Sequence, residues 1–109
     1  MITVSIFKNN ADKISGFSIS GHAGFAEEGE DIVCSAVTAL SFNAVNSIDA
    51  FCKDKIILDK ADDSEGGYLE FYIKNPSKEA DLLLKSYELG IKSICEEYGE
   101  HVNIVYLTQ

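Results

Sequence analysis

Cysteine and basic residues are both in short supply in this chain, and each shortage excludes a class of function. Cys34, Cys52 and Cys95 are the only cysteines among 109 residues, an odd set with no CxxC pair. Such a set argues against a disulfide framework or a zinc ribbon and fits a reducing compartment. Lys and Arg together number 9 against 18 Asp and Glu, for a net charge of -9. The basic residues are scattered, whereas a general nucleic-acid binder needs them clustered against phosphate. The N-terminal run Met1-Ile2-Thr3-Val4-Ser5-Ile6 has no basic n-region and no long apolar stretch of a signal peptide or membrane span, so a cytoplasmic protein is expected. Gly66-Gly67 lacks the Lys and Ser/Thr that a phosphate loop requires. No linker, low-complexity segment or charge block divides the chain, which is expected to form one domain over residues 1–109. With 46% hydrophobic residues it can bury a modest core.

What is present is a sequence of clear periodicities. Ile2, Val4 and Ile6 alternate with polar residues, Asn9-Asn10-Ala11-Asp12 supplies turn chemistry, and Phe17 and Ile19 alternate again, so residues 2–8 and 14–22 read as a hairpin ending near His22. From Asp31 to about Cys52 the period lengthens. Val33, Val37, Leu40, Ala44, Ile48 and Phe51 fall on one helical face, with Asp31 as the expected N-cap. Ile56-Ile57-Leu58 and Tyr68 to Ile73 read as a second hairpin around the turn at residues 61–67. Asn75-Pro76-Ser77 opens a second helix, with the proline expected at its first position; Ala80, Leu83, Leu84, Tyr87, Ile91, Ile94 and Tyr98 mark its buried stripe and Gly99 stops it. Val102, Ile104 and Tyr106 give a last strand. The order β-β-α-β-β-α-β implies an α+β, two-layer domain with a mostly antiparallel sheet and two long helices.

Ser20-Gly21-His22-Ala23-Gly24 and, after an acidic loop, Asp31-Ile32-Val33-Cys34 place a histidine at a strand end and a cysteine near a helix start. The thiolate is the nucleophilic form of cysteine, and the unbonded N–H groups and dipole of a helix start favour it. An imidazole within reach can take the thiol proton. The same N–H groups could hold an oxyanion during attack on a peptide carbonyl. Cys52 and Cys95 read as inert core positions, and His101 has weaker surroundings than His22. The loop carboxylates Glu27, Glu28, Glu30 and Asp31 oppose the thiolate, unless they serve to hold cationic substrate groups or, for Asp31, to orient His22. Otherwise they are simply solvated. A zinc site would need further ligands for which no spacing speaks, so no metal and no cofactor are expected.

Gly21-His22-Ala23-Gly24, Gly29 and Asp31-Ile32-Val33-Cys34 with the run to Leu40 resemble the bacterial ribosomal-processing cysteine protease family, Prp, and the likeness extends over the whole chain. It implies a cytoplasmic endopeptidase that removes an N-terminal extension from a large-subunit ribosomal protein during ribosome biogenesis, working as a homodimer. Carried over by position, Cys34 is the nucleophile and His22 its proton-transfer partner. The segment from Phe25 to Glu30 is implied to be a loop that closes over substrate, with Gly24, Phe25, Gly29 and Asp31 as substrate contacts. Thr38 and Ser35 stand where the resemblance leads one to expect Ser and Ala. An acidic surface suits a substrate rich in Lys and Arg. The rival from another class is a non-enzymatic assembly factor that grips a basic ribosomal segment in the acidic loop.

Overall fold

The computed structural model describes residues 1–21, 28–61 and 68–108, with the backbone alone at 28–31, 60–61 and 68. Seven elements follow in the expected order: β1 (Ile2–Lys8), β2 (Ile14–Ser20), α1 (Glu28–Phe51), β3 (Ile56–Ala61), β4 (Tyr68–Ile73), α2 (Lys78–Tyr98) and β5 (Val102–Thr108). The strands form one sheet in the order β3-β4-β2-β1-β5, antiparallel throughout except where β5 lies parallel to β1. A parallel neighbour needs a crossover, and here β5 reaches β1 by way of the second β-β-α unit.

The first hairpin shows how sequence becomes geometry. Asn9 accepts from the N–H groups of Ala11 and Lys13 through its side-chain oxygen, at 2.9 and 3.1 Å, and Asp12 takes a positive φ of 61°. Asn and Asp are the residues that tolerate and stabilise such turns. The resulting register places Ile6 opposite Phe17 and Phe17 opposite Phe71, all three fully buried. With Val4, Leu69 and Val102 they form the sheet's contribution to the core, which Val33, Val37, Ile48, Leu84 and Ile91 complete from the helices.

The join between layers is aromatic and polar together. Tyr87 of α2 stacks on Phe17, ring centroids 4.2 Å apart, and its hydroxyl lies 2.8 Å from Ser41 Oγ of α1. Ser41 donates to the Val37 carbonyl at 2.7 Å, which leaves the Tyr87 phenol as donor to Ser41. Burial pushes the Tyr87 phenol well above the ordinary tyrosine range, so it stays a donor. Where the helices cross, a Cβ on Gly90 would lie 2.9 Å from Leu40 Cδ1, so the missing side chain lets them close.

Two carboxylates tie α2 to the rest. Asp81, nearly buried, accepts from the Ile14 N–H at 2.8 Å and from Lys85 Nζ at 2.9 Å. Asp54 accepts from Ser77 N–H at 2.7 Å and from Ser77 Oγ at 2.5 Å, while Ser77 Oγ accepts from Ala80 N–H as the N-cap of α2. Pro76 therefore precedes the cap and is not the first helical residue as expected. Its ring is buried, and Ser77 is the residue whose hydroxyl can satisfy an open N–H.

Two further expectations are corrected. Phe51, expected on the buried stripe, is 79% exposed, because it is the last residue of α1. The helix itself starts at Glu28, not after Asp31, so Asp31 lies within its first turn. Acidic residues are favoured in that turn by the helix dipole, and Gly29 does not prevent it. The turn expected at residues 61–67 lies outside the described residues save for Ala61, which belongs to β3.

Asp81→Ala should lower stability by about 1–3 kcal/mol, read as a fall in the urea midpoint, because it strands the buried Ile14 N–H. Asp81→Asn, which keeps an accepting oxygen, should lose less; equal losses would show that the hydrogen bond is not the source.

Candidate active site

Gly21 ends the described part of the first hairpin with φ of 86°, a conformation that glycine adopts readily and other residues rarely. A Cβ there would also run into the Met1 carbonyl oxygen. Both constraints act at the end of β2, where Ser20 pairs with Thr3. His101 lies on the other side of β1 at the same sheet end: its carbonyl accepts from Ile2 N–H and its N–H donates to the Tyr98 carbonyl, both at 2.9 Å. It is half-buried just before β5.

Residues 22–27 join Gly21 to α1, so the end of β2 and the start of α1 are held at most about 25 Å apart by chain length alone. His22, Gly24 and Phe25 fall in that segment, outside the described residues, while Gly29 and Asp31 lie in the first turn of α1. The segment from Phe25 to Glu30 is thus helical in backbone from Glu28 onward, a correction to its reading as loop throughout.

Cys34 sits on α1, half-buried against the core cluster. Because α1 begins at Glu28, Cys34 is in the second turn, and the N–H groups that lack a partner inside the helix belong to residues 28–31. The thiol consequently lies beyond the turn in which the dipole acts most strongly. This removes the helix-start argument for its activation and leaves the burden on a neighbouring base. Val33 and Val37 on the neighbouring stripe are fully buried, and Cys34 leans on the same core from the side.

The other two cysteines behave as core thiols. All three are unbridged. Burial pushes the Cys95 thiol up, and burial followed by the nearby Asp54 and Glu79 carboxylates pushes up that of Cys52, partly offset by a hydrogen bond with Ser77. Neither is disposed to form a thiolate at neutral pH.

The sequence reasoning missed Ser41, a polar residue in the middle of the buried face of α1. The signal lay in Tyr87: a tyrosine on a buried stripe needs a hydroxyl partner.

Comparison with known proteins gives these positions a context. The family model described as cysteine protease Prp matches residues 1–103. The ribosomal processing cysteine protease Prp of Bacillus subtilis is 32% identical over 111 residues, covering 95% of this chain and 96% of the relative. That of Staphylococcus aureus is 32% identical, covering 97% and 99%. Among solved structures, a Streptococcus mutans protein superposes with a TM-score of 0.88 at 31% identity over 100% of this chain and 99% of that one. The S. aureus protease Prp bound to a substrate peptide gives 0.84 at 31% identity, covering 98% and 100%, and the same protease with a covalently linked product peptide gives 0.81 at 32%, with the same coverage.

If Cys34 is the thiol made reactive, a limiting alkylating agent at pH 7 should label it ahead of Cys52 and Cys95. The two core thiols, with raised pKa values, should catch up only as pH climbs past 9, where their thiolates form. Peptide mapping of the labelled sites reads the order, and equal slow labelling of all three would count against Cys34.

Proposed function

Since this chain belongs to the cysteine protease Prp family and is a ribosomal-processing cysteine protease by that membership, we propose that Cys34 is its nucleophile and His22 the base that takes the thiol proton. The observation that carries this reading is the family match over residues 1–103, which takes in both positions. The thiolate adds to the scissile carbonyl, and the protonated His22 gives its proton to the leaving amine. An acyl-enzyme remains on Cys34 Sγ. Water, deprotonated by the same imidazole, then frees the acyl product and restores the thiol. The S. aureus protease carries a product peptide covalently linked, as such a route would leave it.

The placement of Cys34 beyond the first turn of α1 makes the base more important, because little of the helix dipole remains to stabilise a thiolate there. Gly21 supports His22 in this reading by fixing where the chain leaves β2. Gly24 and Phe25 would meet the substrate from the segment after His22, and Gly29 and Asp31 from the first turn of α1.

The substrate is a large-subunit ribosomal protein precursor, cut at the end of an N-terminal extension, in the cytoplasm. A net charge of -9 draws in Lys- and Arg-rich segments and raises their rate of encounter. The enzyme works as a homodimer. An assembly factor without catalysis would account for the acidic surface, but not for membership in a protease family.

Incubating a peptide that spans the extension junction with the protein and following it by mass spectrometry should show a single cut. Cys34→Ala should abolish it, and His22→Ala should lower its rate about 10²- to 10⁴-fold. Near-normal cleavage by His22→Ala would overturn the dyad. Gly21→Ala should slow cleavage and lower stability by roughly 1–2 kcal/mol for the left-handed backbone alone, before the Met1 carbonyl has moved. A Gly21→Ala protein with wild-type rate and stability would remove Gly21 from the site's support.

A further inference from the structure

Taking Cys34 as the nucleophile read above, we propose that Tyr87 and Ser41 are its positioning residues: their hydrogen bond fixes how the first turns of α1 lie on the sheet, and so where Cys34 is carried. Among the described residues of α1, Ser41 is the polar side chain that is fully buried, at 0% exposure, and Tyr87 of α2 is 3% exposed. Neither reaches solvent, so neither can meet a substrate or take part in the chemistry.

An apolar pair would fill the same space. Phenylalanine facing alanine would keep the ring stack on Phe17 and leave no hydroxyl to satisfy, and exchanging both partners of a buried hydrogen bond for apolar groups costs little stability. What the polar pair adds is direction. Apolar contact between α1 and the sheet tolerates sliding and tilting. The bonds from the Tyr87 hydroxyl to Ser41 Oγ at 2.8 Å, and from Ser41 to the Val37 carbonyl at 2.7 Å, hold only in a narrow geometry. Their far end is anchored, since the Tyr87 ring stacks on Phe17 with centroids 4.2 Å apart.

The place where these bonds enter α1 makes them a lever. A serine that bonds the carbonyl four residues back disturbs the helical ladder there and lets the helix bend. The turn from Val37 to Ser41 is therefore the pliable turn of α1, and the turns before it carry Cys34. The spacing of Cys34 and Ser41 is nearly two full turns, which puts both on one side of the helix, about 20° apart, and about 10 Å apart along its axis. A lean of about 6° at Ser41 would then move Cys34 by about 1 Å, and a displacement of that size at a reacting atom can cost ~10²-fold in rate. On the sheet side, Phe17 lies on the strand that ends just before Gly21, where the chain leaves for His22. One buried hydrogen bond thus links the arm that bears the nucleophile to the strand that leads to its base.

Kinetics of the full chain on the junction peptide test this, with Tyr87→Phe and Ser41→Ala made singly and together. The double variant should keep the wild-type urea midpoint, because no hydroxyl is stranded, yet its kcat should fall at least ~10-fold with KM within about twofold. Each single variant should lose about as much kcat as the pair, since each breaks the same chain of bonds. Labelling of Cys34 by an alkylating agent at pH 7 should slow alongside, because a thiol moved off its base keeps its proton. Wild-type kcat in the double variant and in Tyr87→Phe would overturn the positioning role and leave Cys34 as the nucleophile. A kcat loss confined to conditions in which the variants unfold would assign the pair to stability alone and overturn it as well. Cleavage that survives Cys34→Ala would instead overturn the reading of Cys34, and the positioning role with it.

Discussion

The contact on which the rest of the molecule depends is the stack of Tyr87 on Phe17, continued through the Tyr87 hydroxyl to Ser41. It joins three elements in one column: β2 at the centre of the sheet, α2 above it and α1 beside α2. The ring contact is apolar and roughly non-directional, and the hydroxyl adds a direction, because an unpaired phenol in that setting would cost more than it gains. Cys34 lies two turns before Ser41 on the same helix, so the position of the candidate nucleophile is set through this column. The end of β2, where Gly21 turns the chain toward His22, is set by the same strand that carries Phe17.

Some of the carboxylates work inside the fold. Asp81 and Asp54 act inside the fold, one accepting from the backbone of β2 and the other from the cap of α2. Glu88 accepts from the Tyr106 hydroxyl at 2.6 Å and so holds the far edge strand to α2. Burial, together with this hydrogen bond and the Glu88 charge beside it, pushes the Tyr106 phenol up to about 12. The carboxylates left on the outside give the surface its sign, and the absence of any charge over residues 32–48 stands out against it.

Strands and helices were legible in the sequence because each buries one face only, and the periods of two and of three to four residues record that directly. The turn at Asn9 to Asp12 was legible because asparagine and aspartate stabilise it through their own side chains. His22 and Cys34 stood out in the sequence as a motif, and family likeness suggested their roles; His22 lies outside the described residues. What pattern alone misplaced were ends. The start of α1 moved from Asp31 to Glu28, since an acidic first turn and a capping aspartate produce the same string of residues. Phe51 fits the helical stripe by phase yet is exposed, since phase says which way a residue points and not whether anything lies opposite.

The sequence by itself determined the order of elements, the residues that could fill a core, the surplus of negative charge and the cysteine and histidine available for chemistry. All of these are set by local chemistry and spacing along the chain. Only the tertiary structure decided that β5 runs parallel to β1, that Asp81 caps a backbone N–H in another element 67 residues away, that Ser41 answers Tyr87, and that Cys34 lies past the reach of its helix's first turn. Each depends on groups far apart in sequence being brought within a few ångströms, and their energies exist only once the layers have closed.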